Sequence, residues 1–152
     1  MRFRLATSSD LPAIIALFQH TIMAISEHYS YEQKQAWASR GDDVARWQQR
    51  ITSQYLLVAE TDEIIGFGSM EAGGYLDTLY VHPHYQRQGI AQQLLNRLEA
   101  WALARGAAGL TVEASMVAQP FFRKNGYGVI RKQKHQLLDE LLINFVMQKS
   151  TL

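Results

Sequence analysis

The run Val81-His82-Pro83-His84-Tyr85-Gln86-Arg87-Gln88-Gly89-Ile90-Ala91 limits what this chain can fold into more than any other stretch. Tyr75 to Val81 ahead of it reads as a strand, and Leu94, Leu95, Leu98, Trp101 and Ala102 behind it keep a helical period. A strand that enters a helix through a short loop with small residues at the helix mouth leaves backbone N–H groups bare. The helix start adds about half a unit of positive charge. Gly89 lets another group approach the backbone closely, and Ala91 keeps the first turn clear of bulk. Such a turn suits a pyrophosphate-bearing cofactor. Two other nucleotide signatures fail. No Gly-x-x-x-x-Gly-Lys-Ser/Thr occurs, and Gly66-Phe67-Gly68 meets Glu71 where a dinucleotide fingerprint needs its third glycine.

With 152 residues the expectation is one domain spanning 1–152, large enough to bury a core. The net charge of +1 gives no global field for nucleic acid. Arg131-Lys132-Gln133-Lys134-His135 is too short a cluster to argue otherwise and reads as a solvated strand face. There is no cysteine, so disulfides, thiolate metal sites and a cysteine nucleophile are excluded. No apolar h-region follows Met1-Arg2-Phe3-Arg4, and no apolar run approaches membrane-spanning length. A cytoplasmic location follows as the expectation, without membrane or nucleic-acid partners.

Phe3-Arg4-Leu5 reads as a first strand. Ser8-Ser9-Asp10 supplies N-cap chemistry ahead of a helix whose Leu11, Ile14, Ile15 and Phe18 share a face. Ser30-Tyr31-Glu32-Gln33 fits a capping box for a second helix through Trp37; Gly41 stops it, and Asp42 restarts a helix toward Ile51. Strands 55–60 and 64–70 form a hairpin around Thr61-Asp62-Glu63, and Gly73-Gly74 precedes strand 75–81. After the long helix come a short strand from Leu110 to Glu113, a brief helix 118–124 and a hairpin of strands 129–137 and 141–148. Meandering strands with a β-α-β crossover in the middle imply an α/β (α+β) fold: a mixed, mostly antiparallel twisted sheet with helices on both faces.

That order, with those residues, resembles the Gcn5-related N-acetyltransferase (GNAT) superfamily across essentially the whole chain. Arg4-Leu5-Ala6-Thr7-x-x-Asp10 is similar to the family's opening motif, and Leu79 to Pro83 followed by Gln86 to Ala91 to its acetyl-CoA motif. Ala118-Gln119-Pro120-Phe121-Phe122-Arg123-Lys124-Asn125-Gly126-Tyr127 resembles a third family segment. His28-Tyr29-Ser30, Ala36-Trp37-Ala38 and Val112-Glu113-Ala114-Ser115 resemble the YafP-type bacterial branch.

The resemblance implies acetyl-CoA as co-substrate and no metal. Amides of Gln86, Arg87, Gln88, Gly89, Ile90 and Ala91 should hold its pyrophosphate. Leu79 and Val81 should offer backbone groups to the pantetheine arm, which can pair like an added strand. Arg87 is the side-chain partner expected for a phosphate, its alternative being an exposed arginine without a fixed partner. Tyr80 faces opposite Leu79 by alternation and is either core or a ligand contact. Ser115 stands where many relatives carry a cofactor-binding asparagine, and reads equally as a turn serine. Phe122 occupies the position of a tyrosine that in many relatives protonates the leaving thiolate. Phenylalanine cannot do so, which leaves Ser115, Tyr29 or water.

On the acceptor side the resemblance places Tyr75, Asp77, His28, Tyr29 and Trp37, with Trp47 as a further aromatic. Strict alternation puts Tyr75, Asp77 and Leu79 on one strand face. Asp77 is favoured over His28 as the base, because a strand position is held more rigidly than a linker position. Each has a bland alternative: Asp77 as a structural carboxylate, the tryptophans as core. His82 and His84, with no carboxylate nearby in the sequence, read as exposed rather than metal-binding. The function implied is direct acetyl transfer to an amine, more readily that of a small molecule. A non-catalytic acyl-CoA sensor and a protein lysine or N-terminal acetyltransferase are the alternatives, and a homodimer is left open.

Overall fold

A computed structural model describes residues 1–150. The strands are β1 (Arg2–Leu5), β2 (Tyr55–Glu60), β3 (Ile64–Met70), β4 (Tyr75–Val81), β5 (Gly109–Ser115), β6 (Gly128–Leu137) and β7 (Glu140–Ser150). The helices are α1 (Leu11–Met23), α2 (Tyr31–Ala38), α3 (Val44–Ser53), α4 (Ile90–Ala104) and α5 (Gln119–Lys124). The strands make one sheet in the order β1-β2-β3-β4-β5-β7-β6, and every neighbouring pair is antiparallel except β4 with β5. The mixed, mostly antiparallel sheet read from the sequence is present, with helices on both faces.

The two faces carry separate cores. Leu94, Leu95, Leu98 and Ala102 of α4 bury against Leu57, Ala59, Leu76, Val81, Leu110 and Val112. On the opposite, front face Ile14, Leu17, Phe18 and Ile22 of α1 and Trp47 of α3 pack on Leu56, Val58 and Phe67. Trp47 belongs wholly to this core, edge-on to Phe18 and Phe67. Its indole N–H is satisfied by the Arg40 carbonyl at 3.1 Å.

Local chemistry sets the element ends. Ser30 accepts from the Gln33 N–H at 3.1 Å while the Gln33 side chain returns to the Ser30 N–H at 2.8 Å, the capping box expected there. Ahead of α1, residues 8–10 form a 3₁₀ turn that is capped by Thr7 and closed by the Asp10 carboxylate on the Thr7 N–H, and Asp10 itself is the N-cap of α1, without a side-chain capping bond. The third helix begins at Val44, with Asp43 rather than Asp42 as its cap. Arg4 ties this corner together, gripping Asp10 through two hydrogen bonds of 2.8 and 2.9 Å and Glu60 through two of 3.0 Å. That bidentate pairing holds the Asp10 carboxyl down at about 2. No helix among the described residues is long and apolar enough to cross a membrane.

Candidate active site

Strands β4 and β5 run parallel but pair only at Tyr75↔Thr111 and Leu76↔Val112. Beyond Leu76 and Val112 they part, and the sheet opens into a V. The phase of the ladder decides which groups face that gap. The His82 N–H donates to the Ile65 carbonyl at 2.8 Å, which makes Val81↔Gly66 and Leu79↔Gly68 the pairs that exchange no bonds with each other. The N–H and C=O of Leu79 and Val81 therefore turn toward the gap, whereas those of Thr78 and Tyr80 turn to β3. Gln86 donates to the Val81 carbonyl at 3.0 Å, fastening the following loop to the strand.

That loop delivers the chain to α4. Arg87 has φ 62° and Gly89 has φ 82°, so the backbone turns through the left-handed region twice before the helix starts. Gly89 takes this conformation without cost. No side chain caps the helix, and a Cβ built on Gly89 would meet nothing within 4 Å. The opening N–H groups of α4, which have no partner inside a helix, thus stand over open space at the wide end of the V. The residues fit a pyrophosphate.

Gap and loop open into one cavity of about 840 Å³. Leu79, Tyr80, Val81, Gln86, Arg87, Gly89, Ile90, Ala91, Ser115 and Phe122 all line it, so the expected cofactor residues lie together. Gln88 lies outside the lining and its side chain donates to the His84 carbonyl at 3.4 Å. Ser115 lines the cavity while its Oγ accepts from the Ala118 N–H at 3.1 Å, so the turn role is real and the hydroxyl proton stays available. Phe122 is buried edge-on between Phe121 and Tyr127. Tyr80 packs its ring against Phe18 and Phe67 in the front core, and burial pushes its phenol up to about 12.

The front side departs from expectation. Between Ser69↔Thr78 and Met70↔Leu76 the register slips by one residue, leaving Asp77 as a β-bulge. Alternation breaks there: Leu76 and Leu79 both face α4, while Asp77 turns to α3. Asp77 and Leu79 do not share a face. The Asp77 Oδ2 accepts from Arg50 Nε at 2.8 Å, Gln54 Nε2 at 2.9 Å and, more distantly, Arg46 at 3.4 Å. Arg50 in turn lies over the Trp47 ring, 4.5 Å from its centroid.

The other expected acceptor-side groups divide. Trp37 lines the cavity, with Thr21 and the α1–α2 linker residues Ala24 to Glu27. The Thr21 hydroxyl there is buried and has no hydrogen-bond partner. Tyr29 is buried as a strut instead: its hydroxyl donates to the Ile143 carbonyl at 3.0 Å and accepts from the Met116 N–H at 2.9 Å. That donor capacity is spent, so the leaving-group role considered for Tyr29 has no free proton behind it. His28 is exposed, outside the lining, with φ 73° and its ring 3.7 Å from Glu27. Tyr75 stands beside the cavity; its hydroxyl reaches Glu113 Oε2 at 3.4 Å, and burial together with the nearby carboxylates raises its phenol above the usual range.

Glu113 was not singled out from the sequence, although its signal was there. Leu110, Val112 and Ala114 alternate into the α4 core, which sends Glu113 to the front face. It lines the cavity one residue beyond the last β4–β5 pair. His82, His84 and His20 cluster at the outer edge, with ring centroids 5.1 Å apart from His20 to His82 and from His82 to His84. Among the described residues no group of three histidine, aspartate or glutamate side chains is placed to hold a metal ion.

Residues 25–144 match the family model described as an acetyltransferase (GNAT) domain. The uncharacterized N-acetyltransferase YafP of Escherichia coli K12 is 33% identical over 141 residues, covering 91% of this chain and 89% of that protein. The crystal structure of a GCN5-related N-acetyltransferase from Rhodopseudomonas palustris superposes with a TM-score of 0.94 at 36% identity, covering 98% and 94% of the two chains. PaiA N-acetyltransferase of Thermoplasma acidophilum, solved in complex with coenzyme A, shares the fold with a TM-score of 0.80 at 21% identity, covering 98% of each chain.

Proposed function

Since the chain belongs to the GNAT family of N-acetyltransferases, we propose that it transfers acetyl directly from acetyl-CoA to the amine of a small molecule. The observation that carries this reading is the V between β4 and β5, which opens straight onto the uncapped start of α4. The five residues from Asp77 to Val81 give the gap a length of ~15 Å, enough for an extended amide-bearing arm laid along the strand. Its pairing groups are those of Leu79 and Val81, the pyrophosphate lies on the amides from Gln86 to Ala91, and Arg87 supplies charge at the mouth. Bound there, acetyl-CoA supplies an activated acyl group. The chain's part is to hold the thioester at the narrow end of the V and to polarise its carbonyl. The Leu79 N–H, turned into the gap, is the donor for this; the Tyr80 N–H, bonded toward β3, is not.

A small acceptor is favoured because the linker residues Ala24 to Glu27 and Trp37 line the same cavity as β4 and β5. Bounded on that side by the linker, the cleft suits a compact acceptor better than a protein segment laid in an open groove. The position of Ser115 in the lining, with its Oγ accepting from the Ala118 N–H, supports it as the side chain that protonates the leaving sulfur. Free thiol release from acetyl-CoA, followed with a panel of primary amines and with a lysine-bearing peptide, tests the reading. Turnover with a small amine is expected. Binding of acetyl-CoA without turnover by any amine would identify the sensor instead, and turnover with the peptide alone would identify a protein acetyltransferase.

A further inference from the structure

The charged residues that line the cavity separate by sign along its length. Arg87 and Lys124 stand at the mouth by α4 and α5, whereas Glu27, Asp77 and Glu113 stand at the linker and the narrow end. The cationic end matches phosphates. The anionic end calls for a cation, and its carboxylates are not equivalent. Asp77 meets two guanidinium groups and an amide on a single oxygen. One of those donors, the Arg50 guanidinium, is itself buried against Trp47, so the carboxylate is held as part of the packing between β4 and α3. Glu27 lies out on the linker, exposed and 3.7 Å from His28.

Glu113 has no cationic partner among the described residues. Its hydrogen-bond partners are neutral, the Tyr75 hydroxyl donating to Oε2 at 3.4 Å and the Gln133 amide to Oε1 at 3.2 Å, and the other charges felt at the Tyr75 hydroxyl are the carboxylates of Asp77 and Glu71. Tyr75 remains a phenol at working pH, so it holds the carboxylate without adding charge. Each carboxylate oxygen keeps lone-pair capacity beyond these single bonds. The side chain is exposed to solvent through the cleft, one residue past the point where β4 and β5 part. A thioester held at the narrow end by the arm's pairing with Leu79 meets this carboxylate from the front.

Resting on the acetyltransferase reading, we propose that Glu113 binds the protonated acceptor amine and takes its proton, and that Asp77 is a positioning residue. The acceptor is then a small primary amine that arrives as an ammonium ion. One proton passes from the ammonium nitrogen to a Glu113 oxygen. The freed lone pair forms the C–N bond at the thioester carbonyl carbon while the C–S bond breaks and its electron pair leaves on sulfur. The second proton shed by nitrogen ends on that sulfur, completing free CoA. Glu113 returns its proton to solvent, and nothing is oxidised or reduced. Asp77 meanwhile locks the bulge of β4 to α3 and so fixes where the Leu79 N–H points.

Glu113→Gln and Asp77→Asn separate the two roles, each compared with wild type by acetyl-CoA calorimetry and by thiol release across the pH range with the same amine panel. For Glu113→Gln, kcat/KM near neutral pH should fall about 10²-fold or more with acetyl-CoA affinity unchanged. The defect should shrink at high pH, where the amine is neutral before it binds. Asp77→Asn should lose less than tenfold, and its pH profile should keep the wild-type shape. An ultraviolet titration supplies a readout apart from turnover: in Glu113→Gln the Tyr75 phenol should titrate lower than in wild type, with Tyr75→Phe identifying its signal. Full activity of Glu113→Gln at every pH, with acetyl-CoA bound normally, would overturn the inference and leave the acetyltransferase intact. A wild-type protein that acetylates no amine would overturn the underlying reading as well.

Discussion

Phe122 shows how a single ring can be placed by the core yet border the chemistry. It fills the space between Phe121 and Tyr127 and is almost fully buried, at 3% exposure. It donates nothing, so its contribution is packing under the cofactor gap. Phe122→Leu should retain most of kcat in steady-state assays, at a stability cost below the about 3–5 kcal/mol of truncating such a ring to alanine. A several-hundredfold fall in kcat with fold and acetyl-CoA affinity intact would assign the ring a further role. Asp10 acts on folding, through its bonds to Arg4 and to the Thr7 N–H. Its carboxyl titrates at about 2 against an ordinary 3.8, so the stabilisation it provides is present above 3.8 and is lost as pH falls toward 2. The thermal midpoint should drop through that window, and Asp10→Asn should flatten that part of the curve. The Gly89 turn was legible in the sequence, whereas of Asp10 only the capping role was: its pairing with Arg4 joins a strand to the turn before a helix and has no local pattern. Glu113 was legible only as a strand residue opposite Val112 and Ala114, because nothing local says that β5 has just lost its neighbour.

Among the elements, β4 is where sequence and structure diverge most. Period-two alternation puts Asp77 with Leu79, but Leu76 and Leu79 both face α4 at a spacing of three. That spacing is the trace a bulge leaves in sequence, and a bulge is fixed by the partner strand, here at Ser69 and Met70 of β3. The ion pair behind the bulge is a second feature that local pattern does not show, since Arg50 comes from α3 and Gln54 from the residue that ends it, across a sequence separation of 27 and 23 residues. Both members of the Arg50–Asp77 pair are 11% exposed in their side chains. Arg50→Ala leaves the carboxylate buried with weakened compensation and should cost about 3–5 kcal/mol in urea unfolding. A loss under 1 kcal/mol would mean that Gln54 and Arg46 suffice to hold Asp77. The helices and the remaining strands were readable to within a residue or two, because caps and hydrophobic periods are local signals.

Across the whole molecule, the proposed function rests on a parting between two strands of the sheet. Of the six strand junctions, the one between β4 and β5 is made only at its base. Gly74 guards that base: the Thr111 N–H donates to its carbonyl at 2.9 Å, and a Cβ on Gly74 would strike the Gly109 carbonyl. Strand count and crossover could be read from sequence, whereas the length of the parting depends on long-range pairing. The direct test is an amide-resolved NMR titration of the protein with coenzyme A, alongside Gly89→Glu, which sets a carboxylate in the open space over the helix start. The expected result is shifts concentrated at Leu79, Val81 and the amides from Gln86 to Ala91, with saturable binding in wild type and none in Gly89→Glu. Saturable binding with those amides unmoved, or binding undiminished in Gly89→Glu, would contradict the account.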